Sequence, residues 1–211
     1  MISDKLIKEV AEIFASDSGG HDFAHTMRVV RLAQKIAEAE GADTEIAALA
    51  ALLHDVDDHK LTGGEFGCTD RARMLLNKYG YSEEKSDRVC EAIRTVSFKG
   101  TDTEKPKTLE GMAVQDADRL DAIGAIGVAR AFAYGGANAR PMYDPDIPPA
   151  AEMDAEEYKK SRSTTINHFY EKLLLIKDMI NTETAKRIAE GRHSFLISFL
   201  DRFYSEWNGE K

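Results

Sequence analysis

Apolar residues recur along this chain at steps of three and four, the spacing that places them on one side of an α-helix. The pattern predicts helices over residues 4–16, 22–40, 44–55, 69–79, 82–97, 125–134, 162–180 and 182–207. Alternation with a period of two, which is typical of a half-buried strand, does not rise above chance. We therefore predict an all-α fold.

Residues 135–160 form the main interruption of this helical pattern. The segment holds four of the five prolines, together with Gly, Asn and Asp residues. Irregular segments of that length are usually lids or surface loops. We predict a single domain over residues 1–211, with a core at about 20–135, this loop, and C-terminal helices at about 162–207.

The composition describes a soluble globular protein. A chain of 211 residues with 43% hydrophobic residues can bury a full core. Its net charge of −9 argues against nucleic acid or an anionic membrane surface as the main partner. Because neither an apolar targeting segment nor a run of about 20 apolar residues is present, we expect a cytoplasmic protein. Its two cysteines, Cys68 and Cys90, are then expected to be reduced thiols.

One stretch joins a buried helix to a cluster of titratable side chains. Residues 46–53 are all apolar, and positions 54–59 then supply two imidazoles and three carboxylates with no turn residue between. Burying charge costs free energy unless the charge is paired or binds a metal. A functional site is therefore one interpretation of this stretch, and a solvated helix C-terminus is the alternative.

Two other helices can supply partners for this cluster. His25 lies on the core-facing row of its helix, and Asp118 lies in a dense polar stretch that precedes a helix of small residues. With His54 and Asp55 they offer two imidazole nitrogens and two carboxylates. Such a set suits Mn²⁺, Fe²⁺, Co²⁺, Ni²⁺ or Zn²⁺, whereas Mg²⁺ is less favoured because it avoids imidazole.

Each of these residues also has a structural interpretation. A histidine that faces a core can instead bond a backbone carbonyl, and this would be the better interpretation of His25 if it stood alone. Asp116 is rotated by roughly 200° from Asp118 at helical pitch, and we interpret it as a local cap.

At these positions the sequence resembles the H…HD…D signature of the HD-domain metal-dependent phosphohydrolases. The matching segments are His25 with Arg28-Val29, His54-Asp55, residues 115–127, residues 131–136 and residues 167–173. The longer segments resemble one small bacterial single-domain subgroup, which includes nucleoside triphosphate pyrophosphatases. The resemblance covers about residues 5–207 without a departure at the ligand positions, and it implies an HD-type helical bundle with additional C-terminal helices.

The resemblance also implies a set of chemical roles. One divalent metal ion is expected to have four protein ligands: His25, His54, Asp55 and Asp118. Water on such an ion would attack phosphorus in a phosphoanhydride or ester bond. In the superfamily an acidic residue just after the HD pair often activates this water, which makes Asp58 our first choice and Asp57 our second. Asp58 would lie one turn from the pair if the helix continues, and Asp57 has the alternative role of orienting a ligating histidine.

Substrate phosphates require cations or backbone amides. Arg28 lies three residues after His25 and therefore on nearly the same helix face. Lys60 follows the acidic cluster closely, and His21 lies one turn before His25, where it either lines the site or faces solvent. We predict that Arg28, Lys60 and His21 bind the substrate.

The predicted function is hydrolysis of a nucleoside triphosphate to a monophosphate and pyrophosphate. Three alternatives remain open: a phosphomonoesterase acting on nucleoside monophosphates, a catalytically silent metal- or nucleotide-sensing domain, and a nuclease. The intact ligand positions favour an enzyme over a sensor, and the acidic balance makes a nuclease the weakest alternative. Oligomeric state stays open, and a homodimer is compatible with the sequence.

Overall fold

Helices make up the regular structure of the computed structural model, which describes residues 2–15, 23–57, 69–96, 105–150 and 163–210. These ranges contain nine α-helices, one 3₁₀ helix and no strand. The prediction of an all-α fold is therefore confirmed. Within the same ranges, no helix combines the length and the apolar character needed to cross a bilayer.

The helices follow the order of the chain. They are α1 (Asp4–Phe14), α2 (Phe23–Glu40), α3 (Thr44–Leu53), α4 (Asp70–Lys78), α5 (Glu83–Ile93), α6 (Leu109–Asp121), α7 (Gly124–Ala137), α8 (Thr165–Glu171), the 3₁₀ helix (Leu173–Met179) and α9 (Glu183–Trp207). The described residues belong to two compact units: Met1–Asp118 with Asn181–Thr184, and Arg119–Ile180 with Ala185–Lys211.

Helix α3 forms the centre of the first unit. All eight side chains from Ile46 to Leu53 are buried, because the helix is apolar around its whole circumference. Helix α2 packs along α3 and contributes Val29, Ala33 and Ile36 to the same core. A helix covered on all sides gives the residues at its end a rigid and largely dry surrounding.

The turn between α2 and α3 is determined by two local signals. Gly41 adopts a φ of +73°, and the Ala42 N–H donates to the Ala37 carbonyl at 2.8 Å, which ends α2. The Asp43 carboxylate then accepts the N–H groups of Glu45 and Ile46, both at 3.1 Å, which begins α3. Both predicted helix ends are confirmed here.

An aromatic cluster fills the second unit. The rings of Phe169 and Phe199 stack with centroids 5.6 Å apart, and Phe132 meets Phe199 edge-on at 5.9 Å. Phe203 extends the row to Trp207, with centroids 5.9 Å apart. Because aromatic side chains bury large areas, these contacts hold α7, α8 and α9 together.

The prediction that this helix ends at residue 134 is wrong, since α7 continues through Gly135 and Gly136 to Ala137. Neither glycine has a positive φ; the non-glycine residue Ala139 adopts a φ of +51° just beyond the helix. Gly135 instead permits close packing, because a Cβ atom there would lie 2.3 Å from the Thr165 hydroxyl oxygen. Gly135 therefore marks a close contact with Thr165 rather than the end of the helix.

The predicted helix over residues 162–180 is also shorter than expected. Helix α8 ends at Glu171, Lys172 leaves the helical conformation with φ −143° and ψ −56°, and a 3₁₀ helix follows over Leu173–Met179. Three residues per turn place Leu173 and Ile176 on one side, and both are buried. The apolar run satisfies this tighter period as well as that of an α-helix.

His168 on α8 is expected to make the protein sensitive to acid. Burial, and then the positive charges of Lys172 and Arg140, lower the pKa of His168 from 6.5 to about 3. The unfolded chain therefore binds a proton at His168 that the folded chain does not bind. The contribution of His168 to the free energy of unfolding is complete above about pH 6.5 and is lost as the pH falls toward 3. This loss reaches roughly 2–3 kcal/mol at pH 4.5.

Urea unfolding of the wild type and His168→Asn at pH 7.5 and pH 4.5 measures this effect. The variant is expected to lose less stability between the two pH values than the wild type. Equal losses in both proteins would show that other groups cause the acid sensitivity.

Candidate metal centre

The HD pair lies directly beyond the buried helix α3. The helix ends at Leu53, with His54 as its C-terminal cap and residues 54–57 in a turn. His54 Nδ1 donates to the Ala51 carbonyl at 2.8 Å, and in a continuing helix that carbonyl would accept the N–H of Asp55. The condition under which Asp58 would lie one helical turn from the pair is therefore not met.

Four side chains of the first unit converge at this point. Nε2 of His54 lies 3.0 Å from Oδ2 of Asp55 and 3.9 Å from Oδ1 of Asp118. Nε2 of His25, on α2, lies 3.7 Å from the same Asp55 oxygen and 3.4 Å from the same Asp118 oxygen. The two imidazole rings meet edge-on with centroids 5.6 Å apart. Residues far apart in the sequence thus direct two nitrogens and two oxygens toward a common centre.

These atoms fit a single divalent ion. Two ligands that each lie about 2.1 Å from a metal are about 3.0 Å apart at right angles and about 3.4 Å apart at a tetrahedral angle. The four nitrogen–oxygen distances range from 3.0 to 3.9 Å, which includes both of these values. His25, His54 and Asp55 form a group of buried side chains whose ligand atoms lie within 4.8 Å of one another. The donor set of nitrogen and oxygen atoms suits a transition metal.

The contact with Ala51 decides how His54 can act. A carbonyl can only accept a hydrogen bond, so Nδ1 carries the proton of neutral His54 and Nε2 presents its lone pair to the centre. Burial opposes a charge on His54, but the Asp55 carboxylate and then Asp118 outweigh it and raise the pKa of His54 to about 9. A metal ion that binds at neutral pH must therefore displace a proton.

Asp118 differs from the other three side chains in its exposure. The side chains of His25, His54 and Asp55 are 1%, 2% and 9% exposed, whereas that of Asp118 is 28% exposed. The cluster is therefore closed on the side of α2 and α3 and accessible on the side of Asp118. Solvent or a substrate can reach it from that side.

Asp57 has a structural contact that the sequence did not indicate. Its two carboxylate oxygens accept the N–H groups of Arg71 and Ala72, each at 2.9 Å, in the first turn of α4. Asp57 thus caps a helix whose first-turn residue Arg71 lies 14 residues away. The catalytic role assigned to Asp57 stays a prediction.

The predicted substrate-binding residues are described only in part. Arg28 is partly buried on α2, three residues after His25. His21, Lys60 and the predicted base Asp58 lie outside the described residues. Their roles stay predictions.

Asp116 is not the local cap that the sequence suggested. It is fully buried within α6 and accepts hydrogen bonds from Asn181 and Thr182, 65 and 66 residues away. Nearby arginines also have structural contacts: Arg119 donates to the Met179 carbonyl and Arg192 donates to the Leu120 carbonyl. No sequence signal could have identified these partners, because they are distant along the chain.

The first unit also contains a surface cleft of about 360 Å³ that includes none of the four converging side chains. Ion pairs line it: Arg73 lies 2.6 Å from Asp87, and Arg88 lies 3.4 Å from Glu110. Since these charges are already paired within the protein, the cleft is a weaker candidate for a catalytic site than the buried cluster.

Comparison with known proteins agrees with the geometry of the cluster. The HD domain family matches residues 22–123, which include all four converging side chains. The Bacillus subtilis protein YpgQ is 40% identical over 193 residues, which cover 90% of this chain and 86% of YpgQ.

Two solved structures extend this similarity to the fold. An HD-superfamily hydrolase from Bacillus thuringiensis is 42% identical with a TM-score of 0.77, over 97% of this chain and 96% of its own. The structure of Bacillus subtilis YpgQ in complex with ADP is 36% identical with a TM-score of 0.78, over 99% of both chains. This chain therefore belongs to the HD-domain superfamily.

Proposed function

We propose that this HD-domain phosphohydrolase acts on nucleotides and hydrolyses a nucleoside triphosphate to a monophosphate and pyrophosphate. The observation that carries the proposal is the convergence of two imidazole nitrogens and two carboxylate oxygens at 3.0–3.9 Å, with one side accessible. A nucleotide substrate is supported by the similar protein YpgQ, whose structure contains ADP.

In this proposal His25, His54, Asp55 and Asp118 hold one divalent ion. When bound, the ion lowers the pKa of a coordinated water and offsets negative charge on the phosphate. The protein itself supplies orientation: the Ala51 carbonyl fixes the ring of His54, and the core around α3 excludes water from three of the four ligands. Arg28 supplies positive charge for the phosphates, and Asp58 accepts the proton of the attacking water.

The test is product identity. Purified protein is incubated with Mn²⁺ and a panel of nucleoside mono-, di- and triphosphates, beside Asp55→Ala as a control. Pyrophosphate and monophosphate that form only with the wild type support the proposal. Inorganic phosphate from monophosphates would instead identify a phosphomonoesterase. Bound metal without turnover of any nucleotide would contradict the proposal and favour a sensing domain.

The two adjacent aspartates are expected to respond differently to the same substitution. Asp58→Asn should retain Mn²⁺ and lower kcat by about 100-fold or more, because a positioned base is lost. Asp57→Asn should instead lower the free energy of unfolding by about 1 kcal/mol, because an amide can accept only one of the two N–H groups of α4. Metal binding, kcat and urea unfolding of both variants check this. A fully active Asp58→Asn protein would remove Asp58 as the base.

A further inference from the structure

The carboxylate of Asp116, within helix α6, accepts four hydrogen bonds. It is fully buried. Oδ1 accepts the backbone N–H and the side-chain amide of Asn181, both at 2.8 Å. Oδ2 accepts the backbone N–H and the hydroxyl of Thr182, also both at 2.8 Å. A buried carboxylate that accepts four hydrogen bonds holds its partners firmly.

Gln115 strengthens the same attachment. Its side-chain oxygen accepts from the Asn181 amide at 2.8 Å, and its side-chain nitrogen donates to the Thr95 carbonyl at 2.6 Å. Consecutive residues of α6 thus bind the backbone at two places distant in sequence. These contacts fix both the rotation of α6 about its axis and its position along that axis.

The rotation of α6 matters because Asp118 lies on the same helix. Asp116 and Asp118 point about 200° apart, so the helix is anchored on one side and presents the metal-binding oxygen on the other. Asp118 is also the most exposed of the four ligands. At about 5 Å from the axis, a rotation of roughly 10° moves a carboxylate oxygen by about 0.9 Å. Metal sites require ligand placement to within about 0.5 Å.

We propose that Asp116 is a positioning residue for the metal centre: by holding residues 181–182 it fixes the rotation of α6 and thereby places Asp118 toward His25 and His54. The proposal rests on the proposed set of four ligands. Asp116 does not touch the metal, and its effect passes through the helix. It therefore acts on metal affinity and on the geometry of the site, beyond any contribution to stability.

Asp116→Asn is the main test variant. An amide can still accept from Asn181 on its oxygen side, but its NH₂ group would face the N–H and O–H donors of Thr182. Asn181→Ala is a milder second variant, since it removes only the side-chain donor to Asp116 and Gln115. The control is Glu40→Ala, because Glu40 accepts the Thr184 N–H at 2.7 Å and anchors the same segment from α2 instead of α6.

Calorimetric titration of the metal-free full-length protein with Mn²⁺ gives the first readout, and the electron paramagnetic resonance spectrum of bound Mn²⁺ gives the second. We expect Asp116→Asn to weaken Mn²⁺ binding by about 10- to 100-fold and to change the spectrum. Asn181→Ala should weaken binding by about 3- to 10-fold, and Glu40→Ala by less than about 2-fold. Urea unfolding of each variant shows whether the folded state is retained.

Asp118→Asn separates failure of this proposal from failure of the ligand set. If Asp118→Asn weakens Mn²⁺ binding while Asp116→Asn and Asn181→Ala do not, the positioning role is overturned. The same holds if Glu40→Ala weakens binding as much as Asp116→Asn. If Asp118→Asn itself leaves affinity unchanged, the assignment of four ligands is wrong, and the positioning role falls with it. Should Asp116→Asn fail to fold, Asn181→Ala decides between these outcomes.

Discussion

Asp55→Ala is expected to abolish metal retention and catalysis together. Its Oδ2 atom lies 3.0 Å from Nε2 of His54 and 3.7 Å from Nε2 of His25, so the carboxylate contacts both imidazoles of the centre. Loss of a direct ligand should weaken Mn²⁺ binding by more than the roughly 10- to 100-fold typical of an outer-shell change. Turnover should fall by about 1000-fold or more, since the water loses its activating ion.

The substitution should leave the protein folded. Among the influences that raise the pKa of His54, the Asp55 carboxylate is the strongest, so its removal lets His54 lose its proton instead of leaving a buried charge unbalanced. Metal content after dialysis and turnover with a nucleoside triphosphate measure the two effects. Asp87→Ala is a suitable control, because Asp87 forms a surface ion pair with Arg73 and takes no part in the cluster. Full activity of Asp55→Ala would contradict the assignment of the centre.

Gly127→Ala is expected to cause a large loss of stability. A Cβ atom at this position would lie 2.2 Å from the Ala122 carbonyl oxygen and 2.5 Å from its carbon. Both are backbone atoms, so the start of α7 must move to accommodate the methyl group. Overpacking of this kind costs about 3 kcal/mol, which exceeds the gain of about 1 kcal/mol that alanine offers in a helix. The free energy of unfolding in urea measures the difference.

Gly136 provides a matched control on the same helix. An added Cβ atom there would meet nothing within 4 Å. Gly136→Ala should therefore raise the free energy of unfolding by about 0.5–1 kcal/mol, because alanine loses less backbone entropy on folding. Trp207 is the only tryptophan, and it packs on Phe203 of the same unit, so its fluorescence reports the transition in both variants. If the two substitutions have equal effects, the close approach at Gly127 is not limiting.

Much of the fold could be predicted because its signals are local. The apolar run at 46–53 is buried as expected, and the end of α2 at Gly41 and the start of α3 at Asp43 follow from residues within one turn. The ligand set was predicted from the resemblance to the HD-domain phosphohydrolases, because the spacing of the two imidazoles and two carboxylates does not establish it alone. The match of the HD family to residues 22–123 confirms the resemblance.

Other predictions were wrong where the same local sequence pattern is compatible with two structures. Glycine marks a helix stop or a close approach, and only the distance to Thr165 shows that Gly135 serves the second purpose. An apolar run fits a 3₁₀ helix as well as an α-helix, as over Leu173–Met179. Helix α3 was predicted to extend to Asp55 but ends at Leu53, where the Ala51 carbonyl accepts from the side chain of His54, a contact that the apolar pattern does not indicate.

The resemblance to the HD-domain phosphohydrolases predicted the four ligands, whereas the sequence by itself determined the all-α class, the buried central helix and the cluster of titratable residues that follows it. These follow from periodicity and from the cost of burying charge, which act over a few residues. The tertiary structure alone decided the partners of Asp57 and Asp116, which lie 14 residues and at least 65 residues away. A carboxylate can accept from any backbone N–H that packing brings within reach, and the sequence around the carboxylate does not encode which one that will be.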